Sequence, residues 1–311
     1  AAGTICLAAQ DGIILGSMDH GVHHALGWVN HWALAGLREA TFAACELGQK
    51  DDADRYTAEA DALQQALDAY VTNHPDFFDE ERTVNSLLWP TRAWADPVRL
   101  PEATARFAAW WQNHRLKRGY FEPEPYWLYF ESAQAHNALL MGQVDTVWEV
   151  LRYRLQHQDL PGLFGWREGG SGVGTDNAIH GVTLINQLRG CQRFESITPH
   201  GWSQAEFWLL QRAVLVDEWQ DGLLVFAGVP PTWLVPGARI AFRAFPTWYG
   251  RVNGALTVDG SGRLASVSLT GAARGTLLTV RLGHARCQVV ATDAMTTLSI
   301  DLKEMGETHH L

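Results

Sequence analysis

The feature that most constrains this chain is a change of period near residue 220, where apolar side chains stop recurring every three or four residues and begin to alternate. Before it, residues 24–47 carry Val29, Trp32, Leu37, Ala40 and Ala44 on one helical face, with Gly48 as a stop. Asp51 and Asp52 then open a second helix marked by Tyr56, Ala60, Leu63, Leu67 and Tyr70, and the short turn between them predicts a helical hairpin. Residues 75–100 lack regular spacing and read as a long connection. Pro101 opens a helix to about His114, Pro125 another to about Met141, and Val144, Val147, Trp148, Leu151 and Leu155 mark a third. A second long connection spans residues 159–199, with a short helix expected over 178–188, and a last helix is expected over 201–217.

Beyond residue 220, seven short runs rich in Val, Leu, Ile and Thr are separated by Gly, Asp and Pro, the pattern of an antiparallel β-sandwich. The expected fold is therefore mainly α followed by β, with a helical domain over residues 1–219 and a β-sandwich domain over 220–311. Charge divides at the same place. Of 24 basic and 34 acidic residues, 8 and 6 follow Trp219, which leaves 16 and 28 before it. No long Lys/Arg run is present, so nucleic acid is a poor partner, and no stretch reaches the roughly 18 apolar residues of a membrane span. Twelve of the 14 Trp also precede residue 220. An acidic, Trp-rich helical region suits carbohydrate, because indole faces pack on sugar C–H faces while carboxylates accept hydroxyl hydrogen bonds. Filling space between helices is the competing use of those same indoles.

The segment from Asn30 through Trp32-Ala33-Leu34-Ala35-Gly36-Leu37-Arg38 to Leu47-Gly48 resembles a helix of the bacterial six-hairpin glycosidase-like proteins. Pro199-His200-Gly201-Trp202, Gly228-Val229-Pro230 with Trp233, and Phe245-Pro246-Thr247 with Tyr249-Gly250 resemble later parts of the same family, in the same order. None of these is a catalytic signature. The resemblance implies a ring of six helical hairpins, an (α/α)6 toroid, with a sugar site at its mouth and a trailing β-domain. By that measure the chain holds the C-terminal half of the ring. Its partners would be an oligo- or polysaccharide substrate and either the missing N-terminal hairpins or another subunit. Residues 1–19 lack both a starting Met and the basic segment of a secretory signal, so a cut end is expected and no compartment follows.

Hydrolysis of a glycosidic bond by the inverting route needs a carboxylic acid for the leaving oxygen and a carboxylate that activates water. The resemblance puts the base in the connection before the last helix, where Trp166-Arg167-Glu168 lies, and Glu168 is the preferred base. A solvated pair with Arg167 is its bland alternative. The acid falls on an earlier hairpin in that family. Within this chain Asp19, Glu122 and Glu124 are the candidates, with Asp176 and Glu131 behind them and Glu131 better read as a hydrogen-bonded helix residue. For sugar stacking the choices are Trp166, Trp127 and Trp202 in or beside loops, then Trp28, ahead of Trp110, Trp111 and Trp148, which fit helix packing. Asp176 is also a candidate for substrate binding, and His200 either donates to a sugar hydroxyl or caps the final helix. A polysaccharide lyase and a non-catalytic glycan-binding or assembly module remain as alternatives.

No metal or cofactor is expected. His20 and His24 have helical ligand spacing beside His23 and His31, but no HExxH accompanies them, and capping or core roles fit better. Cys6, Cys45, Cys191 and Cys287 form no CxxC pair. The spaced glycines of residues 170–174 follow no strand and precede no Lys-Ser/Thr, and Ser171 lies in no GxSxG.

Overall fold

A computed structural model describes residues 8–10, 12–16, 24–25, 27–116, 121–122, 128–158, 162, 165–168, 199–292 and 294–305. Its contacts divide the chain into two compact units, Ala1–Glu124 and Pro125–Leu311.

The first unit opens with a three-stranded sheet in the order β1-β2-β3, formed by Ala8–Gln10, Ile13–Gly16 and His24–Ala25. The sequence reading had no strands here. Such short segments carry little period of their own, and β2 is fixed by a tertiary contact: Asn30 accepts from Ile14 N (2.9 Å) and donates to Ile14 O (3.0 Å). Asn30 lies in α1, Gly27–Glu46, which packs on α2, Lys50–Asn73, as the expected hairpin. Leu34 and Leu67 are fully buried in these two helices, each burial being worth about 1.5–3 kcal/mol. Gly27 N donates to Thr83 Oγ1 (3.1 Å) with that side chain so close that a Cβ on residue 27 would overlap it.

The long connection turns out to be packed core. A 3-10 turn, Pro75–Phe78, and the short helix α3, Glu81–Val84, lead into buried Leu87, Leu88, Ala93 and Trp94. Helix α4, Leu100–His114, has its Pro at the tolerated first-turn position and buries Phe107, Trp110 and Trp111, the packing role expected of both indoles.

The second unit contains α5, Leu128–Met141; α6, Val144–Gln156; and α7, Gly201–Leu215, with α5 packed against both others. The last helix stops two residues short of the expected end, because Val216–Trp219 leaves the helix as strand β4. It pairs with β5, Gly222–Val225, and β5 lies parallel to β9, Leu277–Leu282, in a sheet of order β10-β9-β5-β4, with Ala285–Val290 as β10. Gly222 faces Leu277 O with no room for a side chain, which explains a glycine inside a strand. The other sheet has the order β11-β8-β7-β6, built from Arg239–Thr247 (β6), Gly250–Val258 (β7), Leu264–Thr270 (β8) and Thr296–Asp301 (β11). Its pairs are all antiparallel. Alternate residues of β8 and β11 are buried, and Val225, Leu256, Val267 and Val280 from the two sheets belong to one apolar cluster. Helices followed by two four-stranded, largely antiparallel sheets match the coarse expectation, with β4 as the strand that the sequence reading missed.

Candidate functional site

Within the second unit, Trp166-Arg167-Glu168 is held at three successive carbonyls. His200 N donates to Trp166 O (2.9 Å), Ser203 Oγ to Arg167 O (3.0 Å) and Leu128 N to Glu168 O (3.2 Å). Each donor comes from the start of a helix, where backbone and capping groups have no intrahelical partner. The tripeptide is thereby stitched between the beginnings of α5 and α7. The Glu168 side chain is 17% exposed, with Oε1 3.9 Å from His200 Nε2.

His200 caps α7. Ser203 N donates to its Nδ1 (3.3 Å), and the Ser203 hydroxyl lies within reach of both that nitrogen (2.9 Å) and Arg167 O (3.0 Å). The other ring nitrogen, Nε2, faces Glu168. Burial pushes the His200 pKa below the ordinary imidazole value, so near neutral pH the contact joins a neutral ring to the carboxyl group and is not an ion pair. Of the two roles open to this residue in the sequence, the structure displays the cap.

Trp166 requires a correction. It is only 1% exposed, tilted against Phe207 at 4.3 Å, and its Nε1 donates to Arg154 O (3.1 Å). An indole with both faces spent on protein is an anchor for the tripeptide and offers no sugar platform. Trp202, by contrast, is 38% exposed and stacks on Tyr129 at 4.3 Å and 21°, with its Nε1 donating to Glu206 (3.1 Å). Tyr129 also lies 5.4 Å from the His200 ring. Glu168, His200, Tyr129 and Trp202 thus form one neighbourhood, and within it a partly exposed glutamate side chain and an aromatic face occur together. In the first unit, Trp28 is half-buried beside Trp32 at 5.8 Å and 59°. Glu122 is exposed, with its backbone N–H bonded to Arg115 O (2.7 Å). Asp19, Glu124, Trp127, Asp176, Ser171, His20 and His23 lie outside the described residues.

Glu131 is more buried than a helix-face reading suggests. It is fully enclosed and paired with Arg154 at 2.6 Å. Tyr129, Ser203 and Arg154 all belong to the site and were not singled out by sequence reasoning. The Ser203 signal was legible as the third residue after a helix cap. Arg154 reads as one more charge on a helix, and only burial distinguishes it. Among the described residues, no group of three His, Cys, Asp or Glu side chains converges as a metal site.

An open groove of about 490 Å³ elsewhere in this unit is lined by Trp148, Trp208, Trp233, Phe245 and other mostly apolar side chains. Its lining contains no carboxylate among the described residues, so it offers no acid–base pair. No helix among the described residues is long and apolar enough to cross a membrane. Neither known protein-family models nor curated proteins yield a match to this chain.

Proposed function

We propose that this chain is a carbohydrate-active protein of the glycoside hydrolase type, in which Glu168 is the general base of an inverting, two-carboxylate mechanism. The observation that carries the reading is the fixed presentation of Glu168: a partly exposed side chain on a backbone held at three consecutive carbonyls, beside His200. A general base must hold its oxygen within about 3 Å of the water it deprotonates, and such anchoring removes the freedom that would blur that distance. Trp202, stacked on Tyr129 nearby, supplies an aromatic face for a pyranose ring. In this reading the helices are an arc of an (α/α)6 toroid and the two sheets a sandwich that follows it, with Asp19 or Glu124 as the acid.

Exposed apolar side chains favour the further proposal that the arc works with additional helices, supplied by the same protein or by another subunit. Phe42 of α1, Leu47 in the turn just after it and Trp208 of α7 are all largely exposed, and Trp208 reaches 65%. The test is hydrolysis of a panel of aryl glycosides by the full gene product and by Glu168→Gln. Loss of a general base lowers kcat about 10²–10⁴-fold. An undiminished Glu168→Gln enzyme would refute the assignment.

A further inference from the structure

We infer that Arg154 is a positioning residue for Glu168, acting with Glu131 as a buried clamp on the Trp166-Arg167-Glu168 tripeptide. This rests on the proposed role of Glu168 for its catalytic meaning, although the clamp itself is a matter of geometry.

Arg154, near the end of α6, reaches the tripeptide by two routes. Its own carbonyl accepts the Trp166 indole N–H (3.1 Å), which fixes the front of the segment. Its Nη2 donates to Leu128 O, and the N–H of the same Leu128 residue donates to Glu168 O (3.2 Å), which fixes the back. Leu128 is therefore held on both sides, by the guanidinium at its carbonyl and by the Glu168 carbonyl at its amide. Glu131, one turn along α5, orients that guanidinium through the 2.6 Å ion pair. The space enclosed by Leu128, Ser132, Arg154, Trp166, Ser203 and Phe207 leaves no room for a water molecule beside the guanidinium.

Stability is a poor reason for such a pair. Both side chains are almost wholly buried, and removing two charges from water offsets most or all of their attraction, so well-packed apolar replacements of similar volume are commonly neutral or stabilising. What apolar side chains cannot do is donate to the Leu128 carbonyl. One guanidinium nitrogen, Nη2, meets both the Leu128 carbonyl and Glu131, which aims the donor as well as attracting it, and direction is what a base on a loop requires.

The decisive variant is the double replacement Glu131→Leu/Arg154→Met, compared with Arg154→Lys in the full chain. Exchange of the Leu128 amide and the Trp166 indole proton is followed by NMR, with the Val267 amide in β8 as an internal control, and kcat and KM are measured on the glycoside that the native protein cleaves best. The expected result is a thermal midpoint close to native, unchanged exchange at Val267, and at least about tenfold faster exchange at Leu128. In the same variant kcat falls about 10–100-fold while KM moves less than about threefold, and Arg154→Lys lies between it and the native protein. Native-like exchange at Leu128 in the double variant overturns the clamp whatever the activity, as does faster exchange with unchanged kcat. Should the double variant fail to fold, the same exchange measurement on Arg154→Lys decides: native-like protection rejects the clamp, and faster exchange supports it. If the native protein cleaves no glycoside, the proposed function fails, while the exchange result still decides the clamp.

Discussion

At the centre of the first unit, His31 accepts a hydrogen bond from Trp94 Nε1 (2.8 Å) on Nε2 and, with its proton thereby assigned to Nδ1, donates to Ser86 Oγ (2.9 Å). At the centre of the second, Glu131 faces Arg154 (2.6 Å) and His136 faces Asp217 (2.8 Å) with all four side chains buried. The first arrangement is neutral and the second is built from ionisable pairs. Among the described residues of the first unit, the most buried charge, Arg115, pairs with Glu81, which is partly open to solvent. A neutral network satisfies buried donors and acceptors at modest desolvation cost, and it suffices to pack a long irregular connection against two helices. Burying charges costs more and returns little net stability. The contrast teaches that the second unit carries polar groups beyond what packing asks for, and one of those pairs lies directly behind the candidate base.

The largest expected effect tests the ionic side of that contrast. Arg154→Ala leaves Glu131 buried without its cation and should cost about 3–5 kcal/mol of unfolding free energy in denaturant titrations. A loss under about 1 kcal/mol would mean that the pair is open to solvent, and the contrast would collapse.

His31→Leu probes the neutral side and should cost less, about 1–3 kcal/mol, since it strands the Trp94 donor and takes the His31 donor from Ser86 Oγ but strands no charge. It should also change the response to acid. Burial pushes the His31 pKa from an ordinary 6.5 down to about 3, so the unfolded chain takes up a proton that the folded chain refuses. The contribution of His31 is therefore complete above its unfolded pKa and is lost as pH falls from 6.5 towards 3, by up to about 1.4 kcal/mol per pH unit. Denaturant midpoints from neutral pH into this window should fall steeply for the native protein and less steeply for His31→Leu; parallel curves would remove His31 as the cause.

The smallest stability effect belongs to Trp202→Ala, under about 1 kcal/mol at an exposed stacking site. The same variant should raise KM for a cleaved glycoside about 5–10-fold if the indole is a sugar platform. An unchanged KM would confine Trp202 to packing against Tyr129 and leave the site without its aromatic face.

Legibility differed sharply between the fold and the site. The long helices could be read because each repeats one apolar face over several turns, and seven of the eight strands of the second unit because alternation and turn residues agree. The strand β4 could not, since Val216-Asp217-Glu218-Trp219 continues a helical stripe as plausibly as it begins a strand; pairing with β5 decided it. Glu168 was singled out through a resemblance as a candidate, whereas Trp166 was assigned to the wrong surface. Position in a loop says nothing about which way an indole turns, and here the Arg154 carbonyl and Phe207 draw it inward.

By itself, then, the chain's own pattern determined the order of the long helices and of seven strands after them, the helical hairpin and the segregation of acidity and tryptophan, because these depend on spacing between near neighbours. The tertiary structure alone decided which charges are buried, that the connection over residues 75–100 belongs to the core, and that three carbonyls of one tripeptide are held from two separate helices. Hydrogen bonds between residues tens of positions apart leave no periodic trace, and burial is a property of everything that surrounds a side chain.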